Sequence, residues 1–545
     1  MAVLKPKKRK ILFVSEASFA NTGFATIYKN LISRLHKNPK FRIAEFATDT
    51  FVNDPRAKDI TWRFYANAVD KNDPRYKEYT SHEANKFGRW RFEKVLIDFE
   101  PDIVVDLRDP PFFQFESMSP LRDYFHWCIG PTVDSAPQPG EWVDMFLGAD
   151  SVMPYTNYGF NTLQKENPNI KLYKGYGPGI DLQTFRPKDK AECKKKFGLN
   201  PDIKILGYVS RNQARKLMSE LLRSFRGVLD KLGRDDVYLH LHTAYPDLKP
   251  WNLSKLLIEQ KLYNKVFFTY YCVHCQHTQM SLWHGGLSCC GKCGKHKSLH
   301  PRTSVGCSQE VMSDIFNMYD AYVQYSNCEG LGVGTLEAAA CGIPFAAVNY
   351  SAMADLNKNL NGNPIPYSLA RDINVDAERA VPDIDQSVEI LSNLLGQDKE
   401  ALQKQGMATR KLAEKHYNWD NIADKWSEFL SNVELIGLQG KWGKQRFVNK
   451  PPRIDNGPLD KIYNGLIAAG RPDLINTYFF YDLNERYRIY ESGLQQMGIS
   501  GPQVNQVVNN IANDKKQCVN ALNGTIDVQS EDYIRYADIK EISNL

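Results

Sequence analysis

Short apolar segments alternate with amphipathic, helix-like segments along most of the chain, and this alternation occurs in two separate series. Strands that alternate with helices form parallel sheets covered by helices on both faces. The first series has strand-like runs at 8–16, 101–107, 122–129 and 151–154, with a predicted helix from Phe24 to His36. The second series follows a charged stretch, AECKKKFGLNPD, at 191–202. The pattern therefore predicts two α/β domains.

The second series sets the limits of the predicted domains. Its strands are predicted at 203–210, 237–243, 266–271 and 321–325, and its helices at 218–232, 312–318 and 418–430. The last of these helices is expected to close the second domain. A chain of 545 residues exceeds what one compact core accommodates. We expect a first domain at 1–190, a second at 191–435 and a mostly helical extension at 436–545.

Composition excludes several classes of protein. Hydrophobic residues make up 42% of the chain, which excludes a disordered protein. No apolar run is long enough for a membrane-spanning helix. The first residues, MAVLKPKKRK, lack the apolar region of a secretion signal. We therefore expect a cytoplasmic protein, located in the host cytoplasm if the gene is viral.

The segment at 327–348, NCEGLGVGTLEAAACGIPFAAV, places a glycine-rich loop before an alanine-rich helix. Backbone amides at a helix N-terminus lack partners within the helix, and the helix dipole makes that end positive. An anion bound there needs a close approach to the backbone, which glycine permits. Gly330, Gly332 and Gly334 therefore predict a phosphate-binding loop. Tight turns before helices are common, so the glycines alone do not specify a phosphate.

Two glutamates flank this loop with seven residues between them. Glu329 precedes the loop, and the pattern places Glu337 in the first turn of the helix. A diphosphate on the loop would bring the vicinal hydroxyls of a ribose to Glu337 and a sugar to Glu329. In the structural alternative, Glu329 is a solvated loop acid and Glu337 complements the helix dipole.

The spacing Glu329-x7-Glu337 resembles the E-x7-E motif of retaining glycosyltransferases with the GT-B fold, specifically family four. Three further segments resemble that family in the same order along the chain: NTGFATIYKNLISRL, YGPGIDLQTFRP and GYVSRNQARKLMSELLRSF. The resemblance covers about residues 8–435, apart from one insertion. It implies two Rossmann-like domains around a cleft. The first would bind the acceptor, and the second a nucleotide-sugar donor, foremost a UDP-sugar.

The resemblance also implies roles for individual residues. Arg211 and Lys216, five positions apart, would hold the donor diphosphate, and Gly23 would face the phosphates from the first domain. Two fixed cations suit a diphosphate leaving group, which gains charge in the transition state. Glu329 would be a catalytic residue in contact with the transferred sugar, and Glu337 would bind the ribose. The loop residues implied in donor binding are Gly330, Leu331, Gly332, Val333, Gly334 and Thr335.

A catalytic residue is implied after the strand that ends near residue 129, in the segment FHWCIGPTVDSAP. The family often has a histidine there, but His126 lies inside the predicted strand, where a core histidine is an equal interpretation. Asp134 lies in the following loop, where some members have an aspartate, and it is the preferred candidate. Family four needs no divalent metal, so no catalytic metal is expected.

The insertion at 272–306 carries two Cys-x-x-Cys pairs, Cys272/Cys275 and Cys290/Cys293, separated by fourteen residues. Four thiolates at this spacing are typical of a tetrahedral structural zinc site in a zinc ribbon. A ribbon this small has no core of its own, so the metal would supply its stability. Four protein ligands leave no open position for catalysis. The open alternatives are that Cys289 replaces Cys290 or that a histidine replaces a cysteine: His274, His277 or His284.

From Gln260 to Gln309 the chain has no Asp or Glu but has six basic residues. Lysines interleaved with aromatic and histidine rings suit contacts with nucleic acid. A structural brace on the donor domain is an equal interpretation of the ribbon.

Three functions are therefore considered. The first is transfer to a saccharide or small molecule. The second is transfer to hydroxymethylated bases of DNA, as in bacteriophages that glycosylate their genomes. The third is a non-catalytic zinc-ribbon binder of nucleic acid. The joint presence of both glutamates and both cations disfavours the third, because a site without catalysis has no need of all four.

Overall fold

The structure is a computed structural model that describes residues 8–20, 22–119, 121–245, 251–302 and 305–442. It contains two α/β domains in sequence order, each built on a largely parallel sheet. From residue 443 onward, the predicted helical extension lies outside the described residues. No helix in the described ranges is long and apolar enough to cross a membrane.

The first domain contains a six-stranded sheet in the order β3-β2-β1-β4-β5-β6, with all neighbours parallel. Its strands are β1 (Arg9–Ser15), β2 (Phe41–Phe51), β3 (Arg63–Ala68), β4 (Ile103–Asp106), β5 (His126–Ile129) and β6 (Ser151–Val152). Its helices are α1 (Gly23–Leu35), α2 (Tyr76–Tyr79), α3 (Phe92–Phe99), α4 (Pro110–Ser117), α5 (Gly140–Gly148) and α6 (Asn157–Glu166). β4 and β5 are buried along their whole length, as expected where helices cover both faces of a sheet.

Local sequence signals set the limits of these elements. α1 begins after Thr22, whose side chain accepts a hydrogen bond from the Ala25 amide. The strand predicted at 122–129 is shorter than expected, because Arg122–Tyr124 forms a 3-10 turn and the strand starts at His126. The Arg122 guanidinium donates to the Phe125 carbonyl at 3.1 Å and stabilises this turn.

The second domain contains a nine-stranded sheet, whose parallel part runs β9-β8-β7-β13-β14-β15. Its strands are β7 (Lys204–Val209), β8 (Val237–His242), β9 (Val266–Cys272), β10 (Thr278–Ser281), β11 (Leu287–Ser288), β12 (Ser298–Leu299), β13 (Ala321–Gln324), β14 (Phe345–Val348) and β15 (Asn363–Ile365). A separate antiparallel hairpin consists of β16 (Tyr367–Asp372) and β17 (Ala377–Pro382). The helices are α7 (Lys190–Lys196), α8 (Met218–Leu232), α9 (Leu253–Glu259), α10 (Gln309–Asn317), α11 (Val333–Ala340), α12 (Ala352–Leu360), α13 (Ile384–Gly396), α14 (Lys399–His416) and α15 (Trp419–Asn432).

The order of the strands places a ligand crevice between β7 and β13. From β7 the chain proceeds to β8 and β9 on one side and then returns to β13 on the other. Open α/β sheets bind ligands at such a switch point, outside the carboxyl ends of the strands. α8 follows β7 with the predicted bounds, 218–232, and Gly233 ends it with a φ of 59°.

α15 returns to the first domain. Arg9 donates to the Leu430 carbonyl at 3.1 Å, and Arg34 pairs with Asp420 at 2.7 Å. The sequence predicted that this helix would close the second domain. The helix is present, but these polar contacts are with the first domain, because the apolar face of α15 also covers part of the first domain's core.

The cysteine-bearing insertion at 272–306, called the ribbon below, extends the second sheet. β10 pairs antiparallel with β9, and β12 pairs with the end of β9. Rings fasten the ribbon to the domain: Trp283 stacks on His300 with centroids 5.2 Å apart and contacts Phe268 at 4.9 Å and Tyr245 at 5.0 Å. The ribbon is therefore integrated into the domain.

Candidate active site

Glu329 lies in the loop after β13, at the switch point of the second sheet. Its carboxylate is buried and accepts hydrogen bonds from Lys216 Nζ, from Arg215 Nη1 at 3.1 Å and from Gln324 Nε2 at 3.2 Å. A 3-10 turn at Ala214–Lys216 brings both cations to the same carboxylate. Glu329, Lys216 and Arg215 are called the Glu329 cluster below.

Electrostatics give the Glu329 cluster a net positive charge. Burial alone raises the pKa of Glu329, but the charges of Lys216 and Arg215 outweigh it and lower the pKa to about 2. Glu329 also raises the pKa of Arg215 above its usual range. Burial lowers the pKa of Lys216, while the Glu329 carboxylate opposes this effect. With Lys216 protonated, the three groups carry a net positive charge, which favours an incoming anion.

Ser351 has a strained backbone conformation, and its side chain hydrogen-bonds the backbone of Glu329. Its φ is 51° and its ψ is −136°, values that non-glycine residues rarely adopt. Ser351 is buried, and its Oγ accepts the Glu329 N–H at 2.9 Å. Backbone strain of this kind clusters at functional sites, where the surrounding structure maintains it.

The glycines of the loop at 330–334 are required by packing as well as by backbone angle. Gly332 has a φ of 84°, and a Cβ there would overlap Met353. A Cβ on Gly334 would lie 2.5 Å from Tyr322 Oη. A Cβ on Gly330 would lie 3.0 Å from Thr132 Cβ of the first domain. Gly330 therefore allows the two domains to approach each other beside Glu329.

The other loop residues divide between the interior and the surface. Leu331 is buried and Val333 is exposed. Thr335 is buried, and its hydroxyl contacts Met353 Sδ at 3.7 Å, so this side chain faces the interior. A ligand at the start of α11 would therefore meet the backbone amides of Val333 and Gly334, which precede any intrahelical partner.

Glu337 is the fifth residue of α11, so the prediction that it lies in the first turn is wrong. Gly332 caps the helix in the left-handed region, and the helix consequently starts at Val333. The helix dipole acts within the first turn, which removes the structural explanation of Glu337. Burial raises the pKa of Glu337 to about 8. No residue in the described ranges pairs with its carboxyl group, which is therefore available to the hydroxyls of a ligand.

Asp134 faces the Glu329 cluster from the first domain. It lies in the loop after β5 and accepts hydrogen bonds from Arg379 Nη1 on β17 at 3.0 Å and from Cys328 Sγ at 3.2 Å. Cys328 directly precedes Glu329. The structure thus brings Asp134 and Glu329 to the same part of the cleft.

His126 is at the other end of the same strand. It is the first residue of β5, is buried, and bonds Ser151 Oγ through Nε2 at 2.9 Å. Its ring packs on Phe429 of α15 with centroids 6.2 Å apart. Burial lowers its pKa to about 4, so it is neutral at physiological pH. His126 is a core histidine at the amino end of β5, and the expected catalytic role is not retained.

The predicted diphosphate ligand Arg211 and its neighbour Arg215 lie in different surroundings. Arg211 is exposed in the loop after β7, whereas Arg215 forms the ion pair with Glu329. The sequence signal for the Arg215–Glu329 pair is the run of two basic residues at 215–216. The resemblance implied a role for position 211 and none for position 215. Gly23 is the first residue of α1 and is exposed, with open space around the position of a Cβ.

The four predicted cysteine ligands come together in the ribbon. The Sγ atoms of Cys272, Cys275, Cys290 and Cys293 all lie within 4.8 Å of one another. Cys272 and Cys293 are 3.7 Å apart and Cys275 and Cys290 3.5 Å apart, close to the roughly 3.8 Å that tetrahedral zinc–thiolate geometry implies. These residues therefore fit a structural zinc ion. Cys289 is exposed and lies outside the group, and no histidine of the described ranges joins it.

Comparisons with known proteins agree on the fold. The chain is 15% identical to sucrose-phosphate synthase from Thermosynechococcus elongatus, with a TM-score of 0.57 over 78% of this chain and 98% of that one. It is 13% identical to Anabaena HepE in complex with UDP and glucose, with a TM-score of 0.55 over 78% of this chain and 100% of that one.

Matches at the level of sequence are short. A D-inositol 3-phosphate glycosyltransferase of Catenulispora acidiphila is 37% identical over 71 residues, which are 12% of this chain and 17% of that protein. The chain thus spans less than a fifth of the curated relative that it matches. No protein-family model matches the chain. The two domains, their parallel sheets and these structural likenesses show that the chain has the GT-B fold of glycosyltransferases.

Proposed function

We propose that this protein is a retaining glycosyltransferase of the family-four type, which transfers a hexosyl or pentosyl group from a nucleotide-sugar donor to an acceptor hydroxyl. The observation that carries the proposal is the Glu329 cluster, with Asp134 of the first domain facing it across the cleft. The first domain, 1–190, binds the acceptor, and the second, 191–435, binds the donor. A UDP-sugar is the proposed donor, and the HepE structure, a complex with UDP and glucose, supports this choice.

In the proposed complex, the donor diphosphate lies between Lys216, Arg211 and the first amides of α11. Its ribose hydroxyls reach the carboxyl group of Glu337, and Glu329 contacts the transferred sugar. Arg215 keeps Glu329 ionised and in place. Gly23 faces the phosphates from the first domain. The contacts to the diphosphate thus lie where negative charge develops as the diphosphate leaves the sugar.

The proposed reaction forms a bond between the acceptor oxygen and the anomeric carbon of the sugar. The bond from that carbon to the diphosphate oxygen breaks, and the acceptor proton passes to the departing diphosphate. Attack and departure on the same face retain the anomeric configuration. Asp134 is the proposed first-domain residue beside the reacting groups. A zinc ion bound by the four cysteine thiolates would have no open ligand position, so the proposed role of the metal is structural.

Two classes of acceptor are compatible with the proposed reaction: a saccharide or small molecule, and DNA. The packing of Trp283 on His300, Phe268 and Tyr245 favours a ribbon that braces the donor domain, which is compatible with a saccharide or small-molecule acceptor. The acid-free, basic sequence of the ribbon favours a DNA acceptor with hydroxymethylated bases. A non-catalytic nucleic-acid binder leaves the buried Glu329 cluster without a role.

The test is a screen of sugar nucleotides for donor hydrolysis and transfer, with small-molecule, saccharide and hydroxymethylated-DNA acceptors. We expect one nucleotide to be preferred and the product to keep the anomeric configuration of the donor, as measured by proton NMR. Absence of turnover with every donor, or an inverted product, would overturn the proposal.

A further inference from the structure

A cavity of about 860 Å³ lies between the ribbon and the end of α7, separate from the Glu329 cluster. One wall contains Lys195 and Lys196, and the other consists of β10 and nearby residues of the ribbon, which include Cys289 and Gly291. The lining includes three imidazole side chains and no carboxylate: His277, His284 and His296. This cavity is suited to a ligand that carries negative charge and exposes hydrogen-bonding groups.

The rim of the cavity bears additional positive charge. Lys292 and Lys295 flank its lining residues on the second knuckle, Lys297 follows, and all three are exposed. No carboxylate within the described ranges forms an ion pair with these three lysines, in contrast to the lysines of α7. Lys195 pairs with Glu192 at 2.9 Å, and Lys196 pairs with Asp314. The charge available to a ligand is therefore concentrated on the ribbon.

The metal does not cancel this charge. Four thiolates bound to one zinc ion carry a net charge of minus two, and the ribbon contributes four basic residues and no acidic ones between 272 and 306. The metal-loaded ribbon is thus positive. A zinc ion on the four cysteines would also hold the second knuckle, where the Cys290 amide donates to the Lys295 carbonyl at 2.9 Å, so these lysines would stand on an ordered support.

We propose that the ribbon and its cavity bind the sugar–phosphate backbone of a nucleic acid, which makes a nucleic acid the acceptor of the transferase. The part of this inference that makes a nucleic acid the acceptor rests on the proposed function. β9, from which the ribbon extends, is three strand spacings from β13, roughly 15 Å at about 4.8 Å per strand. A polymer held on the ribbon can therefore extend toward the cleft.

Rings distinguish a nucleic acid from other polyanions. Polyphosphate or an acidic polysaccharide would need only cations, whereas His277, His284 and His296 add ring faces and donors that contact bases. His274 and His296 are also exposed on the two knuckles. The combination of unpaired lysines and accessible imidazoles favours phosphates with bases attached.

The test measures binding of the zinc-loaded full chain to fluorescent duplex and single-stranded oligonucleotides by anisotropy over a salt series. The variant replaces Lys292, Lys295 and Lys297 with Gln. The matched control replaces three exposed lysines of α14 with Gln: Lys404, Lys411 and Lys415. Each lost phosphate contact should flatten the slope of log K against log salt by about 0.9 for a duplex and about 0.7 for a single strand.

We expect the ribbon variant to lose affinity with a flatter slope and the α14 control to match the wild type. Absence of binding by the wild type at low salt, or equal loss in both variants, would overturn the inference. Equal competition by heparin or polyphosphate would also overturn it, because the surface would then recognise any polyanion. Oligonucleotide binding without turnover of any sugar nucleotide would instead contradict the proposed function and leave the binding surface in place.

Discussion

Asp134 of the first domain and Arg379 of the second form an ion pair of 3.0 Å across the cleft, and the Asp134 carboxylate also accepts the Cys328 thiol beside Glu329. The pair is partly buried, and Arg379 belongs to the hairpin β16–β17, whose Glu378 N–H donates to the Ala136 carbonyl at 2.8 Å. The ion pair therefore joins the two domains at the proposed reaction centre.

Breaking this pair should open the cleft. We expect Arg379→Met and Asp134→Asn each to increase the radius of gyration measured by small-angle X-ray scattering, and the double variant to add little. The exposed interdomain pair Arg34–Asp420 is the control, since exposed ion pairs contribute about 0–1 kcal/mol. Additive effects of the two substitutions would show that Asp134 and Arg379 act independently.

Removing Lys216 should reduce turnover by a factor on the order of 10²–10³, because a charge-assisted contact to the developing diphosphate is lost. Lys216→Met also leaves the Glu329 carboxylate without its closest partner, so the protein should be destabilised as well. The double variant Lys216→Met/Glu329→Gln separates the effects: stability should recover and turnover should not. Stability is measured by urea denaturation. Full activity of the single variant would remove the donor-site assignment.

Arg211 should contribute to donor binding, whereas Arg215 should contribute to the stability of the fold. Arg211→Ala should weaken donor binding by about 10- to 100-fold, as expected for a lost hydrogen bond to a charged group, with little change in stability because the side chain is exposed. Arg215→Ala should raise the pKa of Glu329 and lower stability, since the guanidinium also donates to the Cys328 carbonyl at 3.1 Å. Isothermal titration with the nucleotide diphosphate and urea denaturation measure the two effects. The opposite pattern would place the diphosphate on Arg215.

Glu337 should make the stability of the donor-free protein depend on pH. Its pKa is about 8 in the folded chain against 4.5 for an unperturbed glutamate. Between these values the folded state keeps the proton and the unfolded state releases it, so the free energy of unfolding should fall as pH rises from about 4.5 to about 8. Glu337→Gln should remove this slope and weaken donor binding, whereas the exposed Glu400→Gln should change neither. A slope that persists in Glu337→Gln would contradict the assignment.

Zinc should copurify with the protein at about one ion per chain, as measured by mass spectrometry of the metal content. Cys272→Ser and Cys293→Ser should lose the ion and make the ribbon sensitive to limited proteolysis, because the ribbon has no core of its own. Cys289→Ser is the matched control and should keep the ion, since Cys289 is exposed outside the group. Resistance of chelated protein to proteolysis would show that the ribbon folds without metal.

Local patterns along the chain were sufficient to predict the class of fold and the position of the ribbon. Periodic apolar segments depend on local burial, so the strands β1, β7, β8, β9 and β13 were predicted within one or two residues of their bounds. The cysteine pairs were equally informative, because a knuckle is a local turn whose ligands are close in sequence.

Which of the predicted residues contact one another depends on the tertiary structure. His126 and Asp134 lie in one short segment, yet β5 places the histidine in the core and the aspartate at the cleft. Arg215 rather than Arg211 pairs with Glu329, and Arg379 reaches Asp134 from a hairpin 245 residues away in sequence. The start of α11, and with it the position of Glu337, depends on a left-handed glycine packed against Met353. Such contacts arise from chain segments distant in sequence, and no local periodicity encodes them.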